Sequence, residues 1–344
     1  AALSIYKLYL IDQAVNPTPL YSALLEGCME SGRDKTWGGS KYRLGGVIAA
    51  GAPDTVNTLA ALKKWVYGKV KGGKVLFDLA DVLDAFRYSF DAGEDKERQK
   101  LYDQIKVKFQ TDSPKFGNND AEANSLMKWL LDTYYKCVQK SRRLAEEVFF
   151  DKDPDDEEEL KRVASLRHLA GYDGPPMIEE FGKDFKIKFT VGLGTFELFN
   201  LMGLGNAASA DRPQAGDPIA RNFAPMVGTT EYTVAHLLSS YQDLGLDRFA
   251  GGAVVDLCLE EDNLNGKEEK AVQHLEATIK HFLRNNGNMM NVTISDRELL
   301  RHIYNTCEAA RGGDTRAQKE LDEYRNVSVR VAGYMAPLIT LPPE

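Results

Sequence analysis

Apolar residues recur at helical spacing through most of the first half of the chain. Between residues 54 and 70 they fall at Val56, Leu59, Leu62, Trp65 and Val66, three and four apart. That spacing gives a helix one apolar face, with Pro53 just ahead of it as a start signal. The same period predicts helices over 76–90, 97–109 and about 120–147, and a short one from Pro19 to a stop at Gly32. The period then changes. Phe185, Ile187, Phe189 and Val191 alternate with polar neighbours, which predicts a strand. Residues 253–259 and 290–294 are apolar and β-prone, and 327–332 reads as a short strand that runs into Gly333. Helices are predicted over 230–241, 267–285, 296–310 and 315–324; the second carries Val272, Leu275, Ile279 and Phe282 on one face. No internal repeat is evident. Strands separated by helices give an α/β architecture, barrel-like.

Two segments stand outside this rhythm. Residues 151–159 hold seven acidic side chains in nine, which reads as a solvated loop opening into a helix with carboxylates at its N-terminus. With the turn signal Asp173-Gly-Pro-Pro it makes 148–182 an inserted excursion. Residues 203–228 are rich in glycine and polar side chains.

Composition narrows the function classes. The chain has 344 residues, 43% hydrophobic and 27% charged, with a formal charge of −8. That is globular composition, and the acidic balance argues against general nucleic-acid binding. No apolar run approaches the roughly 18–20 residues that span a bilayer, and no secretory signal is visible. The four cysteines, Cys28, Cys137, Cys258 and Cys307, form no CxxC pair and no zinc-spaced cluster with histidine. A reducing cytoplasmic setting is expected, with no metal site and with the Asn291 and Asn326 sequons unmodified.

The tail changes the question. In Arg330-Val331-Ala332-Gly333-Tyr334 an apolar strand runs into a glycine, then an aromatic, then another apolar stretch. Four further segments precede it in order. They are Gly32-Arg33-Asp34 through Gly38-Gly39-Ser40-Lys41-Tyr42, and Pro114-Lys115-Phe116-Gly117-Asn118-Asn119-Asp120. Next comes Ala208-Ser209-Ala210-Asp211, continued by Ala215-Gly216-Asp217-Pro218 and Pro225; last is 287–300, with Asn291-Val292 and Arg297-Glu298-Leu299-Leu300. Together they resemble the glycyl radical enzymes of the pyruvate formate-lyase superfamily: "GKD…GGAxYN", "PKFGNDD", "ATPDGRxxGEPLADGxSP", "QFNVVxRExLL" and the "RVxGY/F" fingerprint. The resemblance covers nearly the whole chain. It departs at Asp211-Arg212-Pro213, where the family has Asp-Gly-Arg; at Arg43, where it has Asn; and at Met289-Met290-Asn291, where it has "QFN".

The resemblance implies the C-terminal part of a glycyl radical enzyme α/β barrel with many surrounding helices. Residues 1–215 would belong to the catalytic barrel, and 216–344 would form the glycyl radical domain, its radical loop near 330–336. Gly333 would store the radical. Lacking a side chain, its α-carbon can flatten without a Cβ clash. Val331, Ala332 and Met335–Leu338 would bury the loop away from water and oxygen, Arg330 would anchor it to a carboxylate or carbonyl, and Tyr334 would pack. No cofactor would be bound. The radical would be installed by a separate activating enzyme using S-adenosylmethionine and an iron–sulfur cluster, in the cytoplasm of an anaerobe.

The family's thiyl-forming cysteine lies upstream of the GGxxY element, before this chain begins. Gly27-Cys28-Met29-Glu30 imitates that motif, but Cys28 is expected to be a partly buried helical thiol. Cys137, Cys258 and Cys307 read as packing residues. The expected partners are therefore the N-terminal part of the same enzyme, the activase and a small-molecule substrate, with a homodimer of the complete enzyme. The long interval from Gly38 to Gly333 and the acidic insertion favour arylacetate decarboxylation. The alternatives are a fumarate-adding succinate synthase, a dehydratase or C–N lyase, and, from another class, a non-catalytic spare-part protein that donates a glycyl radical.

Overall fold

This computed structural model describes residues 14–68, 75–149, 154–169, 171–174, 176, 187–196, 198–229, 233–260, 268–331 and 334–341, with 5, 8, 11 and 12 ahead of them. The named elements in chain order begin with α1 (Pro19–Ala23), α2 (Cys28–Ser31), β1 (Leu44–Ala49), α3 (Ala52–Trp65), α4 (Leu79–Arg87), α5 (Lys96–Gln110), α6 (Ala121–Phe149) and α7 (Glu157–Leu169). Then come β2 (Lys188–Leu193), α8 (Phe199–Gly203), α9 (Val234–Tyr241), β3 (Val254–Glu260), α10 (Glu268–Arg284) and β4 (Met289–Ser295). The last are α11 (Arg297–Arg311), α12 (Thr315–Glu320), β5 (Ser328–Val331) and β6 (Tyr334–Pro337).

Aspartate starts several of these helices. The carboxylates of Asp78, Asp95, Asp120, Asp296 and Asp314 accept backbone N–H groups from the first turns of α4, α5, α6, α11 and α12. Each satisfies donors that a helix N-terminus otherwise leaves unpaired. The chain divides into two compact units whose pieces interleave in sequence. One comprises 1–48, 131–192 and 249–251; the other 49–130, 193–248 and 252–344.

In the first unit, β1 pairs with β2. The hydropathy pattern gives no strand over β1 because Gly45 and Gly46 interrupt it. A Cβ at Gly45 would be tight, 3.1 Å from Cγ2 of Ile187. Ala145, Val148 and Phe149 of α6 bury against Ile187 and Phe189, with Leu166 of α7 packed alongside. The acidic stretch opens into α7 as the pattern expects. The expected single helix from Pro19 to Gly32 is instead two. Gly27 adopts φ +96° between them, and a Cβ there would lie 2.7 Å from Lys41 N. Phe185 lies outside the described residues, as do Val70 and Thr230.

Asp34 fastens the loop after α2. Its carboxylate accepts Thr18 N and Ser22 Oγ at 2.9 and 2.8 Å, and Thr36 N and Oγ1 at 2.9 and 2.7 Å. Slight desolvation opposes ionisation, but these donors from Thr36, Ser22 and Thr18 hold the carboxyl down at about 2. Arg43, standing where the resemblance leads one to expect asparagine, donates from Nε and Nη2 to Gly38 O at 3.0 and 2.6 Å.

In the second unit, Phe77, Phe86, Phe90, Tyr102, Ile105 and Phe109 of α4, α5 and their flanks form an apolar core, with Ala208 and Ala210 of the glycine-rich stretch inserted. Strands β3 and β4 pair in parallel, Val254 opposite Met289 through Glu260 opposite Ser295. Leu193 bridges Ala253 in parallel. Strands β5 and β6 pair antiparallel, with Val331 opposite Tyr334. Arg311 of α11 holds the segment beyond β6 by donating to Leu341 O at 2.6 Å.

Gly39 has the least room for change. A Cβ there would stand 2.0 Å from Arg33 O, a backbone atom that cannot swing away. Gly39→Ala should therefore lower unfolding stability by about 2–4 kcal/mol in urea titration. Gly93→Ala, whose Cβ meets nothing within 4 Å, should cost only the strain of its φ of +61°.

Candidate functional site

The Pro114–Asp120 segment follows the C-terminal end of α5 and turns into α6 through Gly117 and Asn119, both at positive φ, +101° and +56°. This turn drives Lys115 inward. Its Nζ donates to Phe109 O at 2.8 Å and pairs with Asp211. The Lys115 and Asp211 side chains are 4% and 0% exposed. Asn57 of α3 closes the triangle: its Nδ2 donates to Asp211 Oδ2 at 2.6 Å, and its Oδ1 accepts Phe116 N at 2.8 Å. A fully buried carboxyl thus has both oxygens hydrogen-bonded, which offsets the cost of withdrawing it from water.

Arg212 lies beside it in sequence and pairs elsewhere. Its Nε sits 3.3 Å from Asp54 Oδ1, with both side chains under 10% exposed. Asp54 Oδ2 accepts Ala220 N at 2.8 Å. Burial pushes the Asp54 carboxyl up to about 6, with the Asp211 charge adding to the rise and Ala220 N and Arg212 opposing it. Two of the motif segments singled out above therefore meet helix α3 in one buried polar cluster. The arginine displaced by one position keeps a charged partner, on helix α3.

A second polar cluster joins Asn291 of the fourth motif segment to residues that no motif marks. Asn222 is buried with φ +49° and is tied to Thr195 and Phe196: its N–H donates to Thr195 Oγ1 at 2.9 Å, and its Oδ1 accepts Phe196 N at 3.2 Å. Phe196 is itself at φ +47°. Asn222 Nδ2 and Asn291 Nδ2 then donate to the two oxygens of Asp256, at 2.7 and 2.8 Å. Arg221 Nε stands 3.9 Å from Asp256 Oδ2, and its guanidinium lies 5.9 Å from the Phe199 ring centroid. The available signal was the alternation Asp256, Cys258 on β3 and Asn291, Thr293 on β4.

Cys28 and Cys307 are buried, as expected of packing thiols, whereas Cys137 and Cys258 are exposed. The expectation for these two is corrected. Cys258 shares the polar face of β3 with Asp256, and Cys137 lies on a solvated face of α6. Partial burial still pushes the Cys258 thiol up, Arg221 pulling it down and Asp256 adding to the rise. Ala332 and Gly333 lie outside the described residues. The backbones of Arg330 and Val331 and of Tyr334 belong to the paired strands on either side. Among the described residues no group of three or more His, Cys, Asp or Glu could hold a metal ion, and no helix is long and apolar enough to cross a membrane.

Residues 5–150 match the family described as pyruvate formate lyase-like. The chain is 24% identical over 328 residues to the probable dehydratase YbiW of Escherichia coli K12, covering 94% of this chain and 33% of that protein. It is 24% identical over 347 residues to the (2S)-3-sulfopropanediol dehydratase of Klebsiella oxytoca, covering 97% and 33%. A glycyl radical enzyme from Archaeoglobus fulgidus superposes with a TM-score of 0.64 at 24% identity, over 97% of this chain and 34% of that one. The chain is thus similar to pyruvate formate lyase-like proteins and to glycyl radical enzymes, has the fold of part of their α/β barrel, and spans about a third of its relatives' length.

Two measurements test the first cluster. Lys115→Ala leaves Asp211 buried without its cation and should cost about 3–5 kcal/mol in unfolding free energy. The raised Asp54 carboxyl means the folded state holds its proton more tightly than the unfolded chain. Its contribution is full below about 3.8 and is lost as pH rises through about 6. Between pH 3.5 and 7 the wild type should lose on the order of 3 kcal/mol relative to Asp54→Asn, read from urea midpoints at each pH.

Proposed function

We propose that this chain is the part of a radical dehydratase that carries the glycyl radical, with Gly333 as its site. The dehydratase relatives, aligned over nearly the whole chain, support that reaction class over the arylacetate decarboxylation that the Gly38–Gly333 interval suggested. The interval does not single out decarboxylases, since the dehydratase relatives align across it over nearly the whole chain. The spare-part alternative is disfavoured by the same extent of alignment, which begins far upstream of the radical loop.

In this reading the activating enzyme removes a hydrogen atom from the Gly333 α-carbon, and the flanking amides share the unpaired spin. Gly333 then takes a hydrogen atom from the thiol of a cysteine outside these 344 residues, leaving a thiyl radical. The thiyl takes a hydrogen atom from a hydroxyl-bearing carbon of the substrate, the neighbouring hydroxyl leaves as water with a proton, and the product radical recovers the hydrogen from the cysteine. Atoms and electrons balance without an external oxidant or reductant once the radical is installed. What this chain contributes is a glycine between two paired strands. On either side of it in sequence, the backbones of Arg330 and Val331 pair with those of Met335 and Tyr334. The complete enzyme would be a cytoplasmic homodimer in an anaerobe, including the N-terminal part that supplies the cysteine.

Anaerobic activation of the chain with an S-adenosylmethionine-dependent activase should produce a glycine-centred EPR doublet, and admitting oxygen should cut the chain at Gly333. Gly333→Ala should abolish both, with circular dichroism unchanged. A doublet that survives in that variant would refute the assignment.

A further inference from the structure

The observation that carries furthest is the unlike character of the two faces of the β3–β4 pair. Parallel strands are ordinarily covered on both faces and apolar on both. Here the register sets Val255, Leu257 and Leu259 beside Met290, Val292 and Ile294 on one face. The Leu259 end of that face joins a groove lined by α9 and α10 through Leu238, Ala271, Leu275 and Thr278. The other face pairs Asp256 with Asn291 and Cys258 with Thr293. Cys258 and Thr293 on it are exposed.

This polar face is built rather than incidental. Both oxygens of Asp256 are held by amide donors from Asn222 and Asn291, so the carboxylate is fixed in position. Asn222 is locked by Thr195 and Phe196 in a left-handed conformation, and Phe196 shares that conformation. Left-handed non-glycine residues held this firmly cluster at ligand clamps. The fixed carboxylate in turn orients Arg221 by charge, at a distance beyond hydrogen bonding, while the Phe199 ring flanks the guanidinium. The Arg221 side chain is 41% exposed. In the same stretch of chain as Phe199, Phe196, Leu198 and Leu201 present exposed apolar side chains, 51%, 48% and 64%. A planar cation beside hydrogen-bonding groups and an apolar rim suits a small molecule with hydroxyls and one oxyanion.

We infer that the polar face of β3–β4 is the floor of a small-molecule site that selects a hydroxylated substrate bearing a carboxylate or sulfonate, with Arg221 as the specificity-determining residue. The inference rests on the radical dehydratase reading for its substrate class. Arg221 binds the oxyanion, and the Asn291 amide and Thr293 hydroxyl edge the space for the hydroxyls.

Cys258 provides a reporter two residues from Asp256 on the same face. In a Cys137→Ser background it is the exposed thiol, since Cys28 and Cys307 are buried. On the folded, unactivated full chain, Cys258 alkylation is timed with iodoacetate and with iodoacetamide. Arg221 should favour the anionic reagent, and Arg221→Gln should lower the iodoacetate-to-iodoacetamide rate ratio about threefold, with Arg221→Lys restoring most of it. Glycerate or a dihydroxypropanesulfonate should protect Cys258 saturably, glycerol at equal concentration should not, and Arg221→Gln should weaken that protection at least about tenfold. A rate ratio untouched by Arg221→Gln, or protection indifferent to the ligand's charge, would overturn the inference. Because no radical is involved, charge-selective protection without an EPR doublet would sink only the radical reading. A doublet without charge selectivity would sink only this one.

Discussion

A pair of buried ions cannot be left half made. That constraint organises the second unit of this protein. Lys115 and Asp211 are almost wholly withdrawn from water, and Asp54 and Arg212 nearly so, which gives four charges that sum to zero inside a core of aromatic and aliphatic side chains. The attraction between such partners is offset by the cost of desolvating them, so their net contribution to stability is small. Their directional demands are larger. Lys115 must leave α5 inward, Asn57 must face it from α3, and the glycine-rich segment must bring Asp211 and Arg212 back between them. Three stretches far apart in sequence are held in one register by that requirement, and the turns at Gly117 and Asn119 take the conformations it imposes.

The helices were legible in the sequence because a 3.6-residue apolar period is a local property. Strands β3 and β4 were also legible, being short, apolar and β-prone. Strand β1 was not, since Gly45 interrupts its apolar pattern and the tight approach of Ile187 is a contact made across more than a hundred residues. The break at Gly27 was hidden for the same reason: the segment from Pro19 to Gly32 has enough helical pattern, and only the packing of Gly39 and Lys41 against it forces the left-handed turn. The motif residues Lys115 and Asp211 could be named in advance, but that they would touch could not. Asn57 and Asp54 carry no signal at all, because a polar residue on the buried side of α3 becomes meaningful only when its partner arrives.

The polar face of β3–β4 was visible as an alternation and read simply as buried strand. An Asp and a Cys inside an apolar run are easily discounted as noise. Register changes their meaning: Asp256 falls opposite Asn291, Cys258 opposite Thr293, and the other face is left wholly apolar. The same alternation accounts for the thiols. Cys258 shares the exposed face with Asp256, while Cys307, on the inner side of α11, is buried.

The one-residue displacement of arginine in Asp211-Arg212-Pro213 has an evolutionary consequence. In a chain reading Asp-Gly-Arg, the guanidinium would leave the backbone from the next position and point elsewhere, so an acidic side chain at position 54 would have nothing to neutralise it. Neither charge can be gained first without stranding a lone ion in oil. The two positions are therefore coupled through the Asp54–Arg212 pair. Among homologues, an acid at the start of this helix should travel with the displaced arginine as an inherited couple.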